Sequence, residues 1–132
     1  MQKDLEGQRT YILLGSSGSG KTSVAEMLFF LSGANTRMGS INEGNTSLDF
    51  EPEEVKKGGS IQPGYNVYTW QGHRHFLIDV PGDPNFQGEL PYQLAAADSG
   101  IFVFDAVDGI KPQDRKIWKD ACDRGLPMLA AI

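Results

Sequence analysis

The sequence predicts an α/β domain, a doubly wound and mostly parallel sheet that carries one antiparallel hairpin. Three observations predict it. Short apolar runs alternate with segments of helical spacing, the pattern of a sheet covered on both faces. A glycine-rich turn, Gly15-Ser16-Ser17-Gly18-Ser19-Gly20-Lys21-Thr22, joins the first apolar run to the first helical one. Two runs rich in aromatic and β-branched residues flank Gln71-Gly72, which reads as a hairpin.

Taken in order, residues 1–8 are a polar extension and residues 9–132 a single domain. Arg9–Leu14 reads as a buried parallel strand. Lys21–Leu31 reads as a helix that stops at Ser32-Gly33, with Val24, Met27, Leu28 and Leu31 at helical spacing as its core face. Residues 34–64 change character, with many Gly, Asn, Ser and Glu residues. A stretch so long inside a compact domain is usually functional, and its place after a glycine-rich turn suggests a switch-like insertion. Ile61–Trp70 and His73–Val80 are the hairpin strands. Phe86–Ala97 is a weaker helix, interrupted by Pro91. Ile101–Phe104 is a strand ending at Asp105, and Lys111–Arg124 a helix entered through Pro112, with Ile117, Trp118 and Ala121 on one face. Gly125-Leu126-Pro127 breaks it before a last apolar strand, Met128–Ile132.

The bulk composition narrows the function. The chain has 132 residues, 39% hydrophobic and 22% charged, which suits one ordinary globular domain. Its net charge of −5 gives no signal for direct nucleic-acid binding. No apolar run approaches membrane-spanning length. The single cysteine, Cys122, permits no internal disulfide and suits a reducing cytoplasm; in a helical segment it is expected as a small buried filler. The expectation is a cytoplasmic monomer.

The turn after the first strand carries the chemistry. It matches Gly-x-x-x-x-Gly-Lys-Ser/Thr, the phosphate-binding pattern of P-loop NTPases. Gly15, Gly18 and Gly20 let the backbone take positive φ and curl its N–H groups around an anion. The helix that follows adds its own free N–H groups and positive dipole end through Lys21, Thr22 and Ser23. Lys21 supplies a full charge for phosphate, and the Thr22 hydroxyl can ligate Mg²⁺. A flexible Gly/Ser linker needs neither the Lys-Thr pair nor the strand before it. Asp79-Val80-Pro81-Gly82, at the end of a strand, is the partner such a loop needs. In a doubly wound sheet both lie at the carboxyl edge, where Asp79 can hold Mg²⁺ through water and the Gly82 N–H can meet a γ-phosphate. His73 and His75, on alternating strand positions, read as surface pairing residues, and Asp105 and Asp108 as caps.

Through these motifs, Arg9 to Ile132 resembles the GTP-binding domain of translational GTPases, closest to elongation factor G and its paralogues. Besides Gly15–Thr22, the resemblance runs through Asp49-Phe50-Glu51-Pro52-Glu53-Glu54, Gly58-Gly59-Ser60-Ile61, Trp70-Gln71-Gly72-His73 and Ile78-Asp79-Val80-Pro81-Gly82 with Phe86. It continues through Asp105-Ala106-Val107-Asp108-Gly109, Pro112-Gln113 and Gly125-Leu126-Pro127. It implies GTP and Mg²⁺ binding, hydrolysis coupled to a switch, and work on the ribosome in translocation or recycling, carried out by the full-length protein. It also implies a domain incomplete at the C-terminus, because the Asn-Lys-x-Asp motif that reads guanine would follow Ile132. Guanine preference is therefore implied by the resemblance and not by these residues, and an ATP-using enzyme is the rival reading.

Departures from the family pattern shape the expectation. Gly18 replaces a common aspartate, Ser17 and Gly59 replace the apolar gate, and Ser60 stands for the switch threonine while keeping its metal-binding hydroxyl. Asp83 occupies the place of the histidine that positions the attacking water. A carboxylate there shares the sign of the γ-phosphate and lacks the cationic state of histidine. Loss of one acid/base group lowers rates by ~10²–10⁴. The alternative is thus a GTP-binding, ribosome-associated module with little hydrolysis.

Overall fold

The computed structural model describes residues 7–48 and 51–132; residues 1–6 of the polar extension and the Asp49-Phe50 pair lie outside the described residues. The elements run β1 (Gln8–Leu14), α1 (Lys21–Leu31), α2 (Pro52–Lys57), β2 (Gly64–Trp70), β3 (His73–Asp79), α3 (Leu90–Ala96), β4 (Ser99–Val103), α4 (Pro112–Asp123) and β5 (Met128–Ala131). A 3-10 turn at Pro84–Phe86 precedes α3. The sheet has the order β2-β3-β1-β4-β5, parallel except for the β2–β3 hairpin.

Alternation along β1 builds two cores. Ile12 and Leu14 face one way, packing with Ile78, Leu90, Leu94, Phe102, Ile117 and Ala121 under α3 and α4. Tyr11 and Leu13 face the other, packing with Ala25 and Phe29 of α1, Leu48, Tyr68 and Leu77. Helices therefore lie on both faces of a mostly parallel sheet, as the alternation of strands and helices predicts.

Several local expectations need correction. The buried stripe of α1 is Lys21, Thr22, Ala25, Glu26 and Phe29. Val24 and Leu28 sit half-buried at its border, whereas Met27 and Leu31 are exposed. Because α1 is apolar nearly all round, hydrophobicity alone selects the wrong stripe. The correct one places small Ala25 where the helix meets the sheet. Pro91 does not interrupt a helix; it lies in the first turn of α3, where a missing N–H costs nothing. The first hairpin strand begins at Gly64 and not Ile61, because the Ile61 and Gln62 N–H groups donate to Glu54 Oε1, each at 3.0 Å. Cys122 is exposed. Trp118 is partly exposed but makes an edge contact with Phe102, ring centroids 5.4 Å apart. His75 stacks on its cross-strand neighbour Tyr68, centroids 4.9 Å apart, in the pairing role expected of it.

The hairpin turn stores a small strain. Gln71 has φ 47° and Gly72 φ 80°, the left-handed pair of a tight hairpin, and left-handed backbone suits asparagine better than glutamine. Gln71→Asn is expected to stabilise the fold by roughly 0.5 kcal/mol, read as an increased urea midpoint at unchanged m-value.

Candidate nucleotide-binding site

The parallel register pairs Leu13 with Asp79, so β1 and β3 end side by side. The turn after β1 and the Asp-Val-Pro-Gly segment after β3 consequently meet at the carboxyl edge, as a doubly wound sheet requires of a ligand site. Close approach forces glycine at two places. A Cβ on Gly15 would lie 2.3 Å from the Val103 carbonyl oxygen at the end of β4. One on Gly82 would lie 2.4 Å from Ser17 N and 2.6 Å from Lys21 Nζ.

Within the turn, Gly15, Gly18 and Gly20 all have positive φ, with Gly20 as the left-handed N-cap of α1. The crest, Ser17-Gly18, is exposed, while Ser16 and Ser19 are buried. Lys21 is only 6% exposed and donates from Nζ to the Ser16 carbonyl at 2.9 Å, so its ammonium lies back over the turn. Ser19 Oγ is buried without a hydrogen-bond partner, a polar atom inside the curl with capacity to spare. The Thr22 hydroxyl donates to Asp79 Oδ2 at 2.7 Å, joining two of the three expected metal-binding side chains across the strand ends. Ser23 is exposed on the first turn of α1.

The described residues contain no group of three or more His, Cys, Asp or Glu side chains that could hold a metal by themselves. One carboxylate beside one hydroxyl fits Mg²⁺, which takes few protein ligands and shares phosphate oxygens and water. The curl of backbone, buried cation and Thr22–Asp79 pair fit a phosphate chain with its metal.

Asp83 is occupied otherwise. It caps the 3-10 turn, accepting from the Asn85 N–H at 3.0 Å, and pairs with Lys57 Nζ at 3.1 Å. The Asn85 N–H first, then Lys57, holds its carboxyl below the usual range. Lys57 also lies 4.1 Å from the Phe86 ring centroid. Residues 51–60 are thereby tied to the turn after Gly82, and Ser60 sits half-buried three residues beyond Lys57. Asp105 is a cap as expected, accepting from the Val107 and Asp108 N–H groups at 2.7 and 2.9 Å.

Three buried side chains escaped sequence reasoning. Glu26, fully buried, accepts from the N–H of Gly39 at 3.1 Å and of Ser47 at 2.5 Å, anchoring residues 34–48 to α1. Its signal was position, four residues after Thr22 on the same helix face. Glu54 does the same for residues 61 and 62. Asp114 accepts from the Ser16 N–H at 2.8 Å. Its signal was an acid at the third helical position behind Pro112, where an acid caps its own helix. Glu26→Ala strands two N–H groups and is expected to destabilise the fold by about 1–3 kcal/mol, measured by urea unfolding, with faster hydrogen exchange at Gly39 and Ser47.

Comparison with known proteins agrees with this geometry. The family model described as the elongation factor Tu GTP binding domain matches residues 6–132. Elongation factor G 2 of Streptomyces coelicolor is 36% identical over 120 residues, 91% of this chain and 18% of that protein. Elongation factor G 1 of Geobacter sulfurreducens is 33% identical over 128 residues, 97% of this chain and 19% of that protein. A crystal structure of a Thermus thermophilus protein superposes with TM-score 0.87 at 36% identity, covering 92% of this chain and 18% of that one. The chain thus spans about a fifth of the length of the relatives it matches. With the family model matching almost every residue and the phosphate-loop geometry intact, the chain belongs to the elongation factor Tu GTP-binding domain family.

Proposed function

We propose that the chain is the GTP-binding part of an elongation factor G-like protein that binds GTP with Mg²⁺, hydrolyses it and acts on the ribosome. The meeting of Gly82 with Ser17 and Lys21 carries this reading. With Gly82 this close to the phosphate loop, its N–H would be within reach of a γ-phosphate bound there, which is what a switch reading the third phosphate needs. The backbone of Gly15, Ser16, Ser17, Gly18, Ser19 and Gly20 shapes the cradle. Lys21 neutralises phosphate charge, and Thr22 and Ser23 extend the cradle into α1. Thr22 and Ser60 would hold Mg²⁺ by their hydroxyls, and Asp79 would hold it through water. Mg²⁺ held there would supply positive charge to offset the negative charge developing on the phosphate oxygens. Residues 34–64 are the nucleotide-ordered switch. Glu26 ties them to α1, Lys57 to the turn after Gly82, and Leu48 packs into the core beside Tyr68 and Leu77, separate attachments that can open locally.

A second reading, slow hydrolysis, is favoured by Asp83, whose carboxyl is committed to the Asn85 N–H and to Lys57. The GTP-binding description of the matching family supports guanine; a cytoplasmic setting and a monomeric state are part of the same proposal. Competition of GTP, GDP and ATP against a fluorescent guanine nucleotide on the intact protein tests the main reading. Displacement by GTP and GDP with ATP inert is the expected result; equal displacement by ATP would overturn it.

A further inference from the structure

We propose that Gln113 and Asp114, adjacent side chains in the first turn of α4, are positioning residues that clamp the phosphate loop to the Asp-Val-Pro-Gly turn and so set nucleotide affinity. The inference rests on the nucleotide-binding reading and deepens it.

An acid at the third helical position ordinarily serves its own helix, and Asp114 does so with one oxygen, accepting from the Lys111 N–H at 2.8 Å. Its other oxygen leaves the helix. It accepts from the Ser16 N–H at 2.8 Å, 98 residues away in sequence. Asp114 is 1% exposed, so water does not compete for either bond. The Gln113 amide donates from Nε2 to the Gly82 carbonyl at 2.6 Å. Consecutive side chains of one turn therefore reach two loops that themselves touch at Gly82 and Ser17.

The consequences of the two bonds differ. Asp114 holds Ser16, and the Ser16 carbonyl in turn holds Lys21 Nζ. The lysine and the curl around it would meet phosphates that a diphosphate and a triphosphate share, so this bond bears on both. Gln113 holds the carbonyl of the residue whose N–H would meet the third phosphate. A second amide, Gln87 Nε2, grips the preceding Pro81 carbonyl at 3.1 Å. With both carbonyls held, the orientation of the Gly82 backbone is fixed before a ligand arrives, and that bears on the triphosphate alone.

The test is equilibrium binding of GDP and of a nonhydrolysable GTP analogue to the intact protein, wild type and variants, with urea unfolding alongside. Asp114→Ala is expected to weaken both nucleotides about 10- to 100-fold. Asp114→Asn, which leaves one accepting oxygen for two N–H donors, is expected to cost a smaller factor, about fivefold. Gln113→Ala is expected to weaken the analogue about five- to tenfold and leave GDP affinity within about twofold. Because Asp114→Ala removes a buried partner and can unfold the chain, the Asn and Gln113 variants decide the matter. Variants that lose urea stability yet bind both nucleotides like wild type would assign the bonds to fold maintenance and overturn the proposal, as would a Gln113→Ala loss equal for the two ligands. Wild-type protein that binds neither nucleotide overturns the underlying reading instead.

Discussion

Lys21→Ala is expected to weaken GTP binding by about 100- to 1000-fold, and GDP binding by a smaller factor because the third phosphate is missing, while leaving the circular dichroism spectrum and the urea midpoint nearly unchanged. The side chain lies buried over the phosphate loop with its ammonium 2.9 Å from the Ser16 carbonyl. The Ser16 carbonyl that loses the ammonium can be satisfied by water entering the space left behind, so the fold loses little. The ligand loses far more. Charge-assisted hydrogen bonds contribute about 1.5–3 kcal/mol each, and an ammonium bridging two phosphate groups forfeits two of them. At about 1.4 kcal/mol per tenfold, that is two to four decades, with the lower part expected because backbone N–H groups and the dipole of α1 remain. Titration calorimetry on the intact protein checks it. Affinity within about threefold of wild type would remove Lys21 from the site and with it the assignment of the loop.

How far the molecule was legible from its residues follows from which forces leave a local trace. Strand burial does: Tyr11 and Leu13 alternate with Ile12 and Leu14, and the two sets are the seeds of the two cores. The phosphate loop does, because a tight curl into a helix demands glycines at fixed offsets followed by Lys-Thr. The meeting of the phosphate loop with the Asp79 segment was inferable from the doubly wound order, whereas the direct Thr22–Asp79 hydrogen bond was not. Glu26 and Asp114 left little trace, since a buried carboxyl is indistinguishable by residue type from one on a solvated helix face. Only the long-range partners, Gly39 and Ser47 for the first and Ser16 for the second, explain their burial. The inner face of α1 was misjudged for a related reason. Its first turn lies under the phosphate loop, so the buried positions there are polar, and the more apolar stripe through Met27 and Leu31 is left outside.

Asp83→His is expected to raise ribosome-stimulated GTP hydrolysis by about 10²–10⁴-fold with GTP affinity changed by less than about threefold. In the native chain the Asp83 carboxyl is held by the Asn85 N–H and by Lys57. A carboxylate beside a γ-phosphate adds negative charge where negative charge already accumulates, and its depressed pKa keeps it ionised at neutral pH. An imidazole can accept and return a proton near neutrality and can carry the opposite charge. The substitution also releases Lys57 from its ion pair, and the exposed pair itself contributes little to stability. Two consequences therefore separate. Lys57→Ala, which frees the same tether and leaves Asp83 in place, is expected to loosen residues 51–60 in hydrogen exchange without restoring turnover. Phosphate release by wild type at the rate of Asp83→His would show that position 83 does not limit the reaction. Turnover restored by Lys57→Ala would instead identify the tether, and not the missing imidazole, as what holds hydrolysis back.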